Sequence, residues 1–266
     1  MKIWKVLNLA MLFSICCIGT LSAQVSIRDS SIRVLMVDVS YGGYFPAGDF
    51  GKRFGYTNQI GLEFGLKFKN NWYASLGGRF LFGDQIRENN ILADLGHNNV
   101  WTNSFGDPVS DQGWIDRNGF VIVPSLYERG FTIPFRVGKI FHSLSFKKTN
   151  PNCGVFIETG AQFIQHQILM NAPKDIPYLN DPYDKGYDRM TYGVGVLGSI
   201  GYRYFSNKRL INFFVAFDYQ HHFTRTYRFN FDLGSEDTRT RNDIMYGFRV
   251  GWCLPIYREA PTGYYY

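Results

Sequence analysis

Residues 57–83, TNQIGLEFGLKFKNNWYASLGGRFLFG, decide the fold. In the first half Ile60, Leu62, Phe64, Leu66 and Phe68 alternate with Gly61, Glu63, Gly65, Lys67 and Lys69. After Asn70 and Asn71, the residues Trp72, Ala74, Leu76, Phe80 and Phe82 share one face, and Tyr73, Ser75, Gly77, Arg79 and Leu81 take the other. A period of two marks a strand between two different surroundings. Each arm has about the 9–11 residues that a tilted strand needs to cross a bilayer. The stretch reads as a β-hairpin turning at 69–71, its apolar face toward lipid.

The same pattern recurs outward from this hairpin. Strands are expected over 32–44, 132–146, 154–169, 191–205, 210–224 and 241–255, which with the hairpin makes eight. Their outward residues include Val39 and Tyr41, Ile157 and Phe163, Val194 and Ile200, Phe213 and Phe217, and Phe248 and Trp252. The fourth strand breaks alternation at Lys139, which predicts a bulge there. Pro134 cannot donate to a ladder, so it is expected near the rim. Long connections (45–57, 84–131, 171–190, 225–240) alternate with short ones (69–71, 147–152, 206–209). Long loops on one side and tight turns on the other are the habit of membrane barrels.

Composition agrees. Aromatics reach 18% and glycines number 28 in 266 residues, which suits a barrel with aromatic girdles. No internal apolar run reaches the length of a spanning helix. Lys2 and Lys5, a mostly apolar 7–21 stretch and Leu21-Ser22-Ala23 form a secretory signal peptide, 1–23, cleaved after Ala23. Its removal lowers the formal charge from +6 to +4. The basic residues are dispersed, which excludes a nucleic-acid surface. The barrel then spans 24–255, and 256–266 is a C-terminal tail. Cys153 and Cys253 fall on opposite faces of non-adjacent strands by alternation, so no disulfide is expected.

Volume decides which face is inside. An eight-stranded barrel has an interior just wide enough for side chains. The bulky apolar set belongs outside. The other set holds most strand glycines and eight charges: Asp38, Glu63, Glu158 and Asp218 against Arg79, Arg136, Arg203 and Arg249. Arginine on the lipid side costs about 2–4 kcal/mol at the midplane, and buried charge must be paired. These eight residues are expected to form a self-neutralising structural cluster in a plugged lumen.

The signal peptide, the eight alternating segments and the lopsided loops together resemble the small outer-membrane barrels of the OmpA and OmpX type. The resemblance covers 24–255 as a pattern and implies an all-β, eight-stranded antiparallel up-and-down transmembrane barrel in the bacterial outer membrane. The LSAQ junction and aromatic-rich strands also resemble small barrels that accompany type IX secretion and gliding machineries.

Four motifs invite chemistry. Gly193–Gly198 spells GxGxxG, but inside a strand, where a dinucleotide site needs a strand before and a helix after. His166, His221 and His222 fall near the outer strand ends, where a histidine base with a serine and an acid would suit lipid A deacylation. No serine is in place, and rim histidines are the expectation. Asp175, Asp181, Asp184 and Asp188 with Asn180 crowd one loop without the spacing of a calcium loop. No catalytic residue, cofactor or metal site is expected. The expected role is structural or interactive: contact with outer-membrane lipid, and a protein or surface ligand met through 84–131 or the tail, as in an accessory subunit of a secretion assembly. The alternatives are a lipid-modifying enzyme and a small-solute channel.

Overall fold

The computed structural model describes residues 31, 33–88, 91, 101–102, 108–109, 114–115, 121–122, 125–145, 150–171, 183–206 and 212–256. Residues 1–23, where a signal peptide is expected, residues 257–266 of the expected tail, and Asp175, Asn180 and Asp181 lie outside them. Eight strands form the wall: β1 (Val34–Ala47), β2 (Thr57–Lys67), β3 (Trp72–Gly83), β4 (Ser125–Phe141), β5 (Gly154–Asn171), β6 (Thr191–Tyr204), β7 (Phe213–Thr226) and β8 (Thr240–Ile256). Each pairs antiparallel with its sequence neighbours, and β1 closes on β8. The chain is an eight-stranded up-and-down transmembrane β-barrel.

The two faces separate as the alternation demands. Phe64, Val194 and Phe248 are 54%, 64% and 62% exposed on the outside. Their inward neighbours Glu63, Gly195 and Arg249 are buried. Water cannot satisfy so continuous an apolar exterior, whereas hydrocarbon can, and closure leaves no unpaired strand edge in the lipid. Trp72 and Trp252 stand exposed near the short-turn end, where indole rings favour the interface.

Several local expectations are corrected. The 45–57 loop is instead the end of β1 followed by a short helix, α1 (Gly48–Arg53), with Phe50 and Arg53 buried. β4 starts at Ser125 and stops at Phe141, so 125–131 belongs to the wall rather than to the long loop. No bulge occurs at Lys139. The β4–β5 ladder runs without a register shift from Ser125–Asn171 to Phe141–Val155. Lys139 simply faces outward, its ammonium 5.5 Å from the Trp72 ring centroid and 5.7 Å from that of Phe141. That is how a lysine stem crosses apolar surface while its charge stays near the interface. Pro134 sits in mid-strand, facing in. The β3–β4 ladder is interrupted just there, opposite Gly77 and Gly78, between the pairs Leu76–Phe135 and Arg79–Thr132. The missing N–H therefore falls where no partner is required.

The interior also holds more than small side chains. Tyr44, Tyr73, Phe156 and Phe214 point in and are fully buried. They fit because glycines face them. A Cβ on Gly138 would lie 2.7 Å from the Tyr73 hydroxyl, and one on Gly251 would lie 2.4 Å from the Phe214 ring. Cys153 and Cys253 are both buried in the apolar cluster at the short-turn end, not on opposite faces, because Cys153 precedes β5 and turns inward. No disulfide joins them.

Candidate functional site

The lumen is filled in layers. At the short-turn end an apolar floor gathers Val34, Met36, Ile140, Phe156, Phe205 and Phe214 among others. Lys67 donates from this level to Asn152 Oδ1 at 2.8 Å and to Ser31 Oγ at 3.1 Å. Just above, Arg203 meets Asp38 at 2.9 Å. Its guanidinium lies 4.7, 5.3 and 5.5 Å from the centroids of Phe214, Tyr73 and Phe156. Delocalised and weakly hydrated, arginine tolerates such an aromatic cage better than lysine would.

The middle layer is ionic. Arg136 contacts Glu158 at 2.9 Å and Glu63 at 3.3 Å. Arg249 donates to Asp218 at 2.8 Å and pairs with Glu158. Arg79 reaches Asp218 at 3.8 Å and Glu63 at 3.9 Å, and donates to Tyr44 OH and Ser40 Oγ at 3.1 Å each. Tyr44 and Tyr73 donate to Asp218 (2.8 Å) and Glu158 (2.6 Å). The structure thus places all eight sequence-derived charges in the lumen, each buried and each facing an opposite charge. Three arginines face three carboxylates here and one faces one below, so these eight charges balance.

A polar layer follows. Gln162 Nε2 donates to Gln220 Oε1 at 3.1 Å, and Gln59 Nε2 reaches the same oxygen at 3.5 Å. Above it His166 Nε2 contacts Asp243 Oδ2 at 3.1 Å, and Thr224 donates to that oxygen at 2.5 Å. His166 and His222 are therefore lumen residues, both fully buried, and not the rim histidines expected. Only His221 faces outward, 3.3 Å from Asn242 Oδ1. The expectation missed because it placed these side chains by height along the strand and not by parity.

The long-loop end is stoppered by α1, which sequence reasoning did not find. Phe50 and Phe54 meet the His166 ring edge-on at 5.0 and 5.4 Å. With Tyr44, Leu81, Ile164, Ile168, Tyr187 and Met245 they form an apolar roof. Arg53 fastens the helix, donating to Thr191 Oγ1 at 3.0 Å and Arg189 O at 3.1 Å and meeting Glu88 at 3.4 Å. Glu88 in turn pairs with Arg189.

Beyond the roof, the last two outer connections are clamped to each other. Asp188 pairs with Arg228, Phe231 packs edge-on against Tyr187 at 5.2 Å, and Tyr192 stacks on Tyr227 at 3.8 Å. Burial pushes the Asp188 carboxyl up to about 6. Hydrogen bonding from Lys52 lowers Asp49, and hydrogen bonding from Arg239 lowers Asp237. Of the loop aspartates weighed as cation ligands, Asp188 is committed to Arg228, and among the described residues no group of His, Cys, Asp and Glu suits a metal ion. Within the GxGxxG stretch, Gly193 and Gly195 face β7 carbonyls and Gly198 faces outward, with strand on both sides. Nothing there cradles a phosphate.

A closed wall with an apolar exterior and a packed interior crossed by a balanced ionic cluster defines a small plugged transmembrane barrel of the outer-membrane type. No family model and no curated protein matches the sequence. Among solved structures the chain is similar to the N-terminal β-barrel domain of Pseudomonas aeruginosa OprF, at 10% identity over 83% of this chain and 96% of that one, TM-score 0.36. It is similar to Ail, the attachment invasion locus protein of Yersinia pestis, at 7% identity over 83% and 98%, TM-score 0.39. Neisserial surface protein A is a third, at 9% identity over 81% and 95%, TM-score 0.34. The closed ring of strands carries the fold assignment, and these likenesses add no residue role to it.

Proposed function

We propose that the protein is exported, loses residues 1–23 after Ala23, and resides in the bacterial outer membrane as a non-enzymatic barrel that acts through its outer face. The observation that carries this reading is the lumen, filled from floor to roof by apolar, ionic, polar and apolar layers. A barrel so packed offers no path for solutes, which speaks against the channel. His166 lies beneath Phe50 and Phe54, and His222 is buried in the lumen; both are away from lipid, which speaks against lipid deacylation. What is left to engage the surroundings is the outer face: α1, 84–124, 172–190 and 227–239. The eight lumen charges hold the wall rigid beneath that face. An accessory subunit of a secretion assembly is one form of this role.

The test is purification of the tagged protein from native outer membranes in mild detergent, followed by sizing and mass spectrometry. Stoichiometric co-elution with a partner that is lost when 84–124 is shortened supports the reading. Elution of the barrel alone, with conductance in planar bilayers, overturns it.

A further inference from the structure

The connection after β7 carries a pattern that neither barrel closure nor the lumen uses. Tyr227, Phe229, Phe231 and Leu233 are 53%, 48%, 42% and 54% exposed, whereas the interleaved Asn230 is buried and Arg228 turns inward to Asp188. The segment thus has a polar edge held by Arg228 on Asp188 and an apolar edge that touches the protein through Tyr227 and Phe231 yet stays about half exposed along its length. In a loop projecting into water this arrangement is inverted.

Its position explains the inversion. Tyr227 lies flat on Tyr192, with centroids 3.8 Å apart and planes 9° apart. Tyr192 tops the outward column of β6, above Val194 and Val196, two of the most exposed apolar residues of the wall. The segment therefore leans over the lipid-facing wall, and its apolar edge continues the belt. Phe229 and Phe231 hold each other at 5.9 Å, and Phe231 is seated against Gly186, where a Cβ would come within 2.0 Å of its ring. Arg225, exposed on the same face, stands 5.8 Å from the Tyr227 centroid. Aromatic rings flanked by a long basic side chain are what the headgroup level of a bilayer selects.

We propose that residues 227–233 lie in the bilayer interface at the long-loop end, with Tyr227, Phe229, Phe231 and Leu233 inserted among lipid headgroups and upper acyl chains. The occupant of this face is lipid, and the connection between β7 and β8 is a membrane-lying anchor rather than a free recognition loop. The surface open to a protein partner is then confined to α1, 84–124 and 172–190.

The test uses the folded mature barrel, residues 24–266, in phosphatidylcholine–phosphatidylglycerol vesicles. Spin labels go on F229C and L233C, with V194C as a wall reference and K52C, on the exposed side of α1, as a solvent reference. The parent's two buried cysteines, Cys153 and Cys253, serve as the blank. Labels at 229 and 233 should collide several-fold more with oxygen than with a water-soluble nickel chelate, as at 194, and the ratio should reverse at 52. If 229 and 233 follow 52 instead, the segment stands in water and the proposal fails. A second readout needs no cysteine: the added tryptophan of F229W should be quenched by lipids brominated high in the acyl chain. Absence of that quenching in protein that retains heat-modifiable barrel migration also overturns the proposal.

Discussion

The hydroxyl of Tyr44 on β1 donates a 2.8 Å hydrogen bond across the lumen to Asp218 on β7. Asp218 is the meeting point of the ionic layer, taking Arg249 at 2.8 Å and lying within 4 Å of Arg79 and Arg136. Neutralising it leaves three buried arginines facing two carboxylates. Removing one partner of a buried ionic network costs about 3–5 kcal/mol, because the remaining charge stays buried. D218N should lower stability by that order in urea unfolding from vesicles. S75A, which loses only a 3.4 Å contact to Glu63, should cost about 1 kcal/mol or less. Equal midpoints for D218N and wild type would contradict the layered account.

The wall was legible in the sequence because period two survives everywhere the chain crosses lipid. The identity of the lumen charges followed from parity, but their partners did not. Asp38 and Arg203 meet from strands far apart in the chain, and nothing local announces it. α1 was invisible for a different reason. FPAGDFGKRFG, residues 45–55, carries the Gly and Pro of a turn, and a six-residue helix has no stability of its own. Phe50 and Arg53 hold it through contacts with β5 and with the start of β6. Pro134 misled in the same way: its neighbours Gly77 and Gly78 on β3, which make a mid-strand proline tolerable, are remote in sequence.

The roof is only the uppermost layer that closes the lumen; the polar layer, the ionic layer and the apolar floor lie beneath it. Replacing 48–53 with a flexible Gly-Ser stretch removes only the first barrier. Wild type and this variant should both be silent in planar bilayers. Steady conductance in the stopperless variant would show that the layers beneath the roof leave a continuous path.

The GxGxxG stretch carries its own control. A side chain at Gly195 would meet the His221 carbonyl at 2.2 Å and the His222 Cα at 2.6 Å, backbone that cannot yield in a closed ring. G195V should prevent closure or destabilise it by about 1–3 kcal/mol or more, read as loss of the heat-modifiable species on a gel. Gly198 faces outward with nothing within 4 Å, so G198V should be close to neutral. Tolerance of G195V would remove the packing explanation of these glycines.

The clamp between the last two outer connections should respond to pH with a definite sign. Asp188 is raised to about 6, chiefly by burial, against its hydrogen bond from the Met190 N–H and the Arg228 cation. Folded protein therefore holds that proton more tightly than unfolded chain. Its contribution is complete below the ordinary carboxylate range and is lost as pH rises through about 6. Asp49 and Asp237 behave oppositely. Lys52 and Arg239 lower them, so their contribution is present at neutral pH and fades only below the ordinary carboxylate range. Between about pH 7 and pH 5 only Asp188 titrates among these three, and the clamp should tighten as the medium acidifies. Hydrogen exchange of amides 183–191, corrected for intrinsic rates, should slow over that interval, and D188N should abolish the change. Faster corrected exchange at pH 5 would show instead that the Arg228 ion pair dominates the burial of Asp188, and that this carboxylate is held ionised.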